Sequence, residues 1–201
     1  MNANSKGRIF SNKRELRITV GICAFLMLVT TLILRAMGRP LIHTEGYVKL
    51  WHGVVKSSEN SQHISDWYSF SHIVHGFLFF FLLWLISKVF PNLRKVSVRL
   101  VLAVAMESAW EILENTTFII NRYREATIAL DYFGDSIINS NSDILCMGIG
   151  FLIAARLPAL ISASIATALE LLLLIVIRDN LTLNIIMLLW PIKAIKEWQI
   201  G

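Results

Sequence analysis

The chain has 201 residues, of which 55% are hydrophobic and 16% charged, with a mean hydropathy of +0.60. Soluble domains carry about 25% charged residues, so these figures exclude an ordinary water-soluble globule, and they exclude intrinsic disorder as well. The 19 Lys plus Arg against 14 Asp plus Glu give a formal +5, and where that excess sits decides between a nucleic-acid patch and a membrane topology signal.

A basic stretch, 1–17, with Lys6, Arg8, Lys13, Arg14 and Arg17, precedes seventeen uncharged residues, 18–34. About 17 apolar residues is the lower limit for crossing a bilayer. The run exceeds the apolar region of a signal peptide (about 7–15 residues), and Ala36-Met37-Gly38 beside Arg35 and Arg39 is a poor cleavage site, so the reading is an uncleaved anchor. The loop 35–66, with Tyr47, Trp51 and His52, is too polar to span; a short interfacial helix is one form open to it. Further spans are expected at 67–89, 98–120, 137–157 and 159–177, the last of these interrupted only by Glu170. The stretch 181–195 contains Asn184 and Pro191 and reads as a sixth crossing, a tilted half-span or a re-entrant segment, with 196–201 as a tail. The expected fold is all-α, a polytopic membrane bundle of five to six transmembrane helices forming one domain over 18–195.

The short loops fix the orientation. With the N-terminus inside, the inner segments hold 12 positive and 2 negative residues, and the outer ones 7 and 8. The positive excess therefore marks the cytoplasmic side of an inner-membrane protein and calls for no nucleic acid. Cys23 and Cys146 fall in apolar spans without the spacing of a metal or redox pair, and read as buried thiols.

Charges inside spans are costly, at roughly 2.5–3.5 kcal/mol for a carboxylate at a helix centre. The third span holds Glu107, Glu111 and Glu114. At 100° per residue Glu111 lies about 40° from Glu107 and Glu114 about 20° to the other side, so one narrow stripe carries all three and must face the bundle interior. The second span places Ser65, Ser69, His72 and Gly76 on one stripe with His75 about 60° aside. In the fourth region Asp135, Asn139 and Asp143 recur at i, i+4, i+8, with Ser142 on the same side, and Gly148 and Gly150 allow close helix approach. Because the second span runs inward and the third outward, His72, His75, Glu111, Glu114, Asn139 and Asp143 meet in the outer half of the membrane. Arg122, Arg124 and Arg178 stand at its rim.

This outward-facing pocket suits acid–base work on an envelope lipid or lipid-linked anionic head group. His72, His75, Glu111, Glu114 and Asp143 would exchange protons; Arg122, Arg124, Arg178 and Asn139 would bind the substrate. The same His72, His75, Glu111, Glu114 and Asp143 are candidate ligands for a divalent metal, although the Glu-x-x-His of di-iron bundles is absent. A proton-linked transporter fits less well without internal repeats. A non-enzymatic membrane scaffold or assembly factor is the alternative from another class.

The runs Asp66-Trp67-Tyr68-Ser69-Phe70-Ser71-His72-Ile73-Val74-His75-Gly76, Trp110-Glu111-Ile112-Leu113-Glu114-Asn115, Arg122-Tyr123-Arg124, Gly134-Asp135-Ser136 and Ile177-Arg178-Asp179-Asn180-Leu181-Thr182-Leu183-Asn184 resemble the signature of a family of multipass inner-membrane proteins of unknown function, mainly alphaproteobacterial. The resemblance covers about residue 15 to Gln199. It implies a polytopic plasma-membrane location and contributes no activity. The family pattern often has Ser-Pro where this chain has Thr116-Thr117, and Asp where it has Asn121. The acid-rich helix followed by Asp135, Asn139, Asp143 and Gly148 is more faintly similar to VanZ-like membrane proteins.

Overall fold

The computed structural model describes residues 9–127 and 131–201; Lys6 and Arg8 of the basic N-terminus lie outside them. The described residues form eight α-helices: α1 (Lys13–Ala36), α2 (Ser69–Val89), α3 (Val96–Glu114), α4 (Thr117–Ala126), α5 (Ile137–Ala154), α6 (Ala159–Ile177), α7 (Leu181–Leu189) and α8 (Lys193–Ile200). The fold is all-α, and α1, α2, α5 and α6 are long and apolar enough to cross a membrane. Helix α3, at nineteen residues and about 28 Å, lies against α1, α2 and α5. Its glutamates and Arg99 keep it from being equally apolar. Outward faces of α1 and α6 expose Phe25, Leu32, Leu160 and Ile175, as lipid-facing helices do.

The core is the junction of α2, α3 and α5, where Leu83, Leu100, Val104, Ile144, Met147 and Phe151 are buried together. Glycine makes the α2–α5 crossing possible. A Cβ on Gly76 would stand 2.2 Å from the Met147 carbonyl oxygen and 2.4 Å from the Phe151 nitrogen, and one on Gly150 would stand 2.1 Å from the Ile73 carbonyl oxygen. The pair that touches is thus Gly76 with Gly150. Gly148 faces open space, with no atom within 4 Å of where its Cβ would be, because it lies about 160° around the helix from Gly150. Helix starts carry side-chain caps: Asn12 accepts from the Glu15 N–H, Thr116 from Ile119, Ser136 from Asn139 and Asn180 from Leu183. Thr116 and Thr117 are the cap and first residue of α4, positions that Ser-Pro fills equally well.

The loop that follows α1, residues 37–66, contains no α-helix. It is an irregular cover tied to the start of α5, whose first N–H groups have no partner within the helix. Ser136 N donates to Ser61 O (3.0 Å), Ile137 N to Pro40 O (2.8 Å) and Ile138 N to Leu41 O (3.1 Å). Side chains add Gln62 Nε2 to Gly134 O (2.7 Å), Ser136 Oγ to Gln62 O (3.0 Å) and Asn139 Nδ2 to His63 O (2.9 Å). We call this the loop end of the bundle.

The stretch 181–195 is not one crossing helix. Around Pro191 it breaks between α7 and α8, and nine residues of α7 reach about 13 Å against the roughly 30 Å of a bilayer core. Both pieces fold back on loop-end elements: Arg122 Nε donates to Leu188 O (2.8 Å) and Gln199 Nε2 to Asp179 Oδ1 (3.0 Å). A proline that ends α7 without room for a second long helix produces this hairpin.

Candidate functional site

Three helices deliver the polar groups. Helix α2 begins after a turn in which Asp66 Oδ1 accepts the Tyr68 N–H (2.8 Å) and Asp66 Oδ2 the Ser61 N–H (2.9 Å). That turn fixes the rotation of α2, so Ser69, His72 and His75 face α3 and α5. From α3, antiparallel to α2, Glu107 comes to the centre with no exposed surface. Its Oε1 lies 2.6 Å from His72 Nδ1, and His75 Nδ1 lies 3.0 Å from both of its oxygens. A carboxylate bridging two imidazoles orients both rings. His72 Nε2 then points toward Asp143 Oδ2 of α5 at 3.7 Å, and Asp143 Oδ1 accepts from the Ser69 hydroxyl at 2.9 Å.

Glu111, 1% exposed, stands behind His72, its Oε1 3.6 Å from Nδ1 and without a hydrogen-bond partner among the described residues. The hydroxyls of Ser71 and Ser108 are likewise buried and unpartnered. Buried polar groups normally find partners, and of these residues Ser71 lines the adjoining cavity. Beside them is a cavity of about 60 Å³, lined by Ser61, Tyr68, Ser71, His72, His75, Trp110, Glu114, Tyr123, Asp135 and Asp143, with Leu181 and Asn184 of α7. The loop closes one side and α7 another.

The wall outside the long helices is made of satisfied acids. Asp135 and Asn115 bond reciprocally: Asn115 Nδ2 donates to Asp135 Oδ2 (2.7 Å), and Asp135 N to Asn115 Oδ1 (2.8 Å). The Tyr132 hydroxyl donates to Asp135 Oδ1 (3.0 Å). Burial pushes the Asp135 carboxyl up to about 6 against the pull of these bonds. Asp179 accepts from the Tyr68 hydroxyl (2.9 Å), Gln199 and Asn184, and burial likewise raises it to about 6. Burial also raises Asp66.

Residues 34–201 match a family model described as "Protein of unknown function (DUF2585)". The chain belongs to the DUF2585 family. It is 54% identical to a UPF0314 protein of Sinorhizobium fredii over 95% of each chain. It is 55% identical to one of Rhizobium meliloti over 89% of each, and 52% identical to one of Sphingopyxis alaskensis over 90% of this chain and 94% of that one. No solved structure matches.

In this DUF2585 protein His72, His75, Glu111, Glu114 and Asp143 do come together. The other expected substrate-binding residues do not line the cavity. Asn139 is buried and holds the loop through the His63 carbonyl. Arg122 is engaged with the Leu188 carbonyl, Arg124 lies over the Phe133 ring at 4.8 Å, and Arg178 donates to the Trp198 carbonyl at 3.2 Å. No Lys or Arg is among the described lining residues. The stripe of Asp135, Asn139 and Asp143 is split three ways, because α5 starts only at Ile137: Asp135 turns to Asn115, Asn139 to the loop and Asp143 to α2.

Glu170 takes no part in the site. Its carboxylate accepts the N–H groups of Leu181 (3.1 Å) and Thr182 (3.0 Å) and the Thr182 hydroxyl (2.6 Å), closing the N-terminus of α7 as an anion there should. A second His/acid group lies in the loop, where Glu59 Oε2 accepts from Lys49 Nζ, from the Tyr47 hydroxyl (2.8 Å) and from His63 Nε2 (3.0 Å). The Lys49 ammonium, with these donors, holds Glu59 down at about 2.

Sequence reasoning underweighted Glu107 and missed Tyr68, Tyr123, Tyr132 and Ser71. Glu107 had a readable signal, since it is the middle of the acid stripe and lies one helix away from two histidines. The tyrosines had none, because their contribution depends on how the loop, α4 and α7 close over α2.

Proposed function

We propose that this DUF2585 protein sits in the plasma membrane with its N-terminus cytoplasmic and handles the polar head group of an envelope lipid or lipid-linked molecule in a pocket facing outward. The observation that carries this reading is the buried His72–Glu107–His75 constellation at the edge of a cavity whose lining mixes acid, imidazole and phenol groups with Trp110 and Leu181. A mixed lining of this kind suits an amphiphile. An imidazole fixed through Nδ1 presents Nε2 for proton exchange, the role to which histidine is best fitted near neutral pH. In this reading Glu107 positions the rings, and His72 and Asp143 exchange protons with the bound group. Glu111 and Glu114 supply the surrounding acid charge, and Arg122, Arg124 and Arg178 steer anions at the rim.

The test is lipid analysis of a deletion strain, followed by complementation with His72→Ala and Glu107→Gln. Loss of the chain should change the profile of an envelope lipid or its carrier-linked head group, and neither variant, at wild-type abundance, should restore it. Full restoration by both would replace this reading with the scaffold alternative.

A further inference from the structure

We infer that the pocket holds a divalent transition-metal ion on His72, Glu111 and Glu114, with Asp143 facing the ion from α5. The inference deepens the proposed function, since it concerns the same site, and it starts from an imbalance. Glu107, Glu111, Glu114, Asp135 and Asp143 converge on one place, and no Lys or Arg is among the described residues lining it. Carboxylates gathered in a medium of low dielectric either hold their protons or take a cation close by. His75 serves Glu107, and His72 is shared among Glu107, Glu111 and Asp143, so two imidazoles face a larger number of acids.

The donor geometry says where that cation belongs. Ligand atoms of His72, Glu111 and Glu114 lie within 4.8 Å of one another. Glu111 Oε1 is buried and has no hydrogen-bond partner. The His72 nitrogen nearer to Glu111 is Nδ1, 3.6 Å from Oε1, and Glu107 already holds Nδ1 at 2.6 Å, so the ion sits on Nε2 and the Glu111 carboxylate swings toward it on binding. Nε2 stands 3.7 Å from Asp143 Oδ2, too far for a hydrogen bond. It is near the separation of about 3.3–3.6 Å between two ligands on one tetrahedral ion at 2.0–2.2 Å. The Glu107–His72 contact is then the carboxylate that fixes tautomer and ring orientation behind a metal-bound imidazole. One nitrogen and two or three carboxylate oxygens form a set for zinc, manganese or iron rather than for a thiol-seeking ion. The ion would also give the pocket the positive charge its lining lacks, so that a phosphate or other oxyanion of a head group could be held there.

The loop trio His52, Glu59 and His63 also brings its ligand atoms within 4.8 Å. There the acid already has its cation, because Glu59 accepts from Lys49, and from Tyr47 and His63 as well.

The experiment uses the full chain in lipid nanodiscs, stripped with chelator and titrated with Co²⁺ alone, read by visible d–d absorption, bound-metal stoichiometry and thermal unfolding. The expected result is one ion per chain and a higher Tm in the wild type, a readout that needs no variant to fold. Glu111→Gln and Glu114→Gln should each weaken binding at least about tenfold, and Glu107→Gln by about 10–100-fold with shifted absorption bands. Glu59→Gln should leave binding unchanged. Absence of both stoichiometric binding and a Tm rise in the wild type overturns the proposal, and so does binding lost in Glu59→Gln but kept in Glu111→Gln and Glu114→Gln. If the wild type binds no ion while His72→Ala still fails to restore the lipid profile, the metal site falls and the lipid reading stands.

Discussion

Replacing Gly76 by alanine tests the frame on which the whole site hangs. The added Cβ would lie 2.2 Å from the Met147 carbonyl oxygen, 2.4 Å from the Phe151 nitrogen and 2.8 Å from the Gly150 carbonyl carbon, all backbone atoms that cannot rotate away. Comfortable carbon contacts are about 3.5–4.0 Å, so α2 and α5 must part by roughly 1 Å. That opening takes the Ser69–Asp143 bond, now 2.9 Å, out of hydrogen-bond range. Overpacking of this kind costs about 1–3 kcal/mol, and the lost bond about 1 kcal/mol more. A chain of this size loses about 2–4 °C of Tm per kcal/mol, so Gly76→Ala should melt roughly 4–16 °C below wild type in detergent, followed by circular dichroism. Gly148→Ala is the matched control on the same helix pair. Its Cβ meets nothing within 4 Å, and alanine is favoured over glycine in a helix by about 0.5–1 kcal/mol, so its Tm should stay level or rise slightly. A Gly76→Ala protein that melts with the wild type, or a Gly148→Ala protein that falls as far, would refute the close crossing.

Glu170→Gln should destabilise the α7–α8 hairpin by about 1 kcal/mol, since it weakens the charged cap on Leu181 and Thr182. Protease nicking within 181–200 should rise while the metal affinity of the pocket stays unchanged. Asp179 predicts a pH dependence. Its folded value of about 6 exceeds its ordinary 3.8, so the folded chain holds this proton more tightly than the unfolded one. Its contribution is therefore full below about pH 4 and is lost as pH rises through 6, a change of about 3 kcal/mol for two units. Asp179→Asn should flatten the fall in Tm between pH 4 and 7; an unaltered slope would place the titration elsewhere. A reporter at the C-terminus should sit on the same side of the membrane as one inserted in 35–66, because Gln199 returns to Asp179; a signal from the opposite side would show that 181–195 crosses.

What could be read from sequence was whatever follows from a helical repeat and the cost of charge in lipid. The stripe of Glu107, Glu111 and Glu114 had to face inward, and the antiparallel run of α2 and α3 had to bring His72 and His75 to the same level. Contacts between separate elements were not legible in the same way. Asn139 looked like a site residue by its spacing from Asp143, yet it spends its amide on the His63 carbonyl, because a loop about seventy residues earlier in the chain covers α5. Arg122 and Arg178 stood at the right depth, but backbone carbonyls of α7 and α8 take their guanidinium groups. Glu170 looked like a buried functional acid until the fold put the start of α7 beside it.

The clamp between the loop and α5 also sets an order of assembly. Pro40, Leu41 and Ser61 offer their carbonyls to amides at 136–138, and Ser61 holds a left-handed backbone, φ 60°, at that junction, a conformation that a non-glycine residue keeps only when its surroundings enforce it. Contacts so distant along the chain form slowly. During synthesis both histidines enter the membrane early, but their pocket has no roof and no Asp143 until α5 arrives beside α2. A nascent chain that stops before residue 137 therefore carries the histidines and glutamates of the centre without Asp143, and the lining is complete only when Leu181 and Asn184 of α7 have followed.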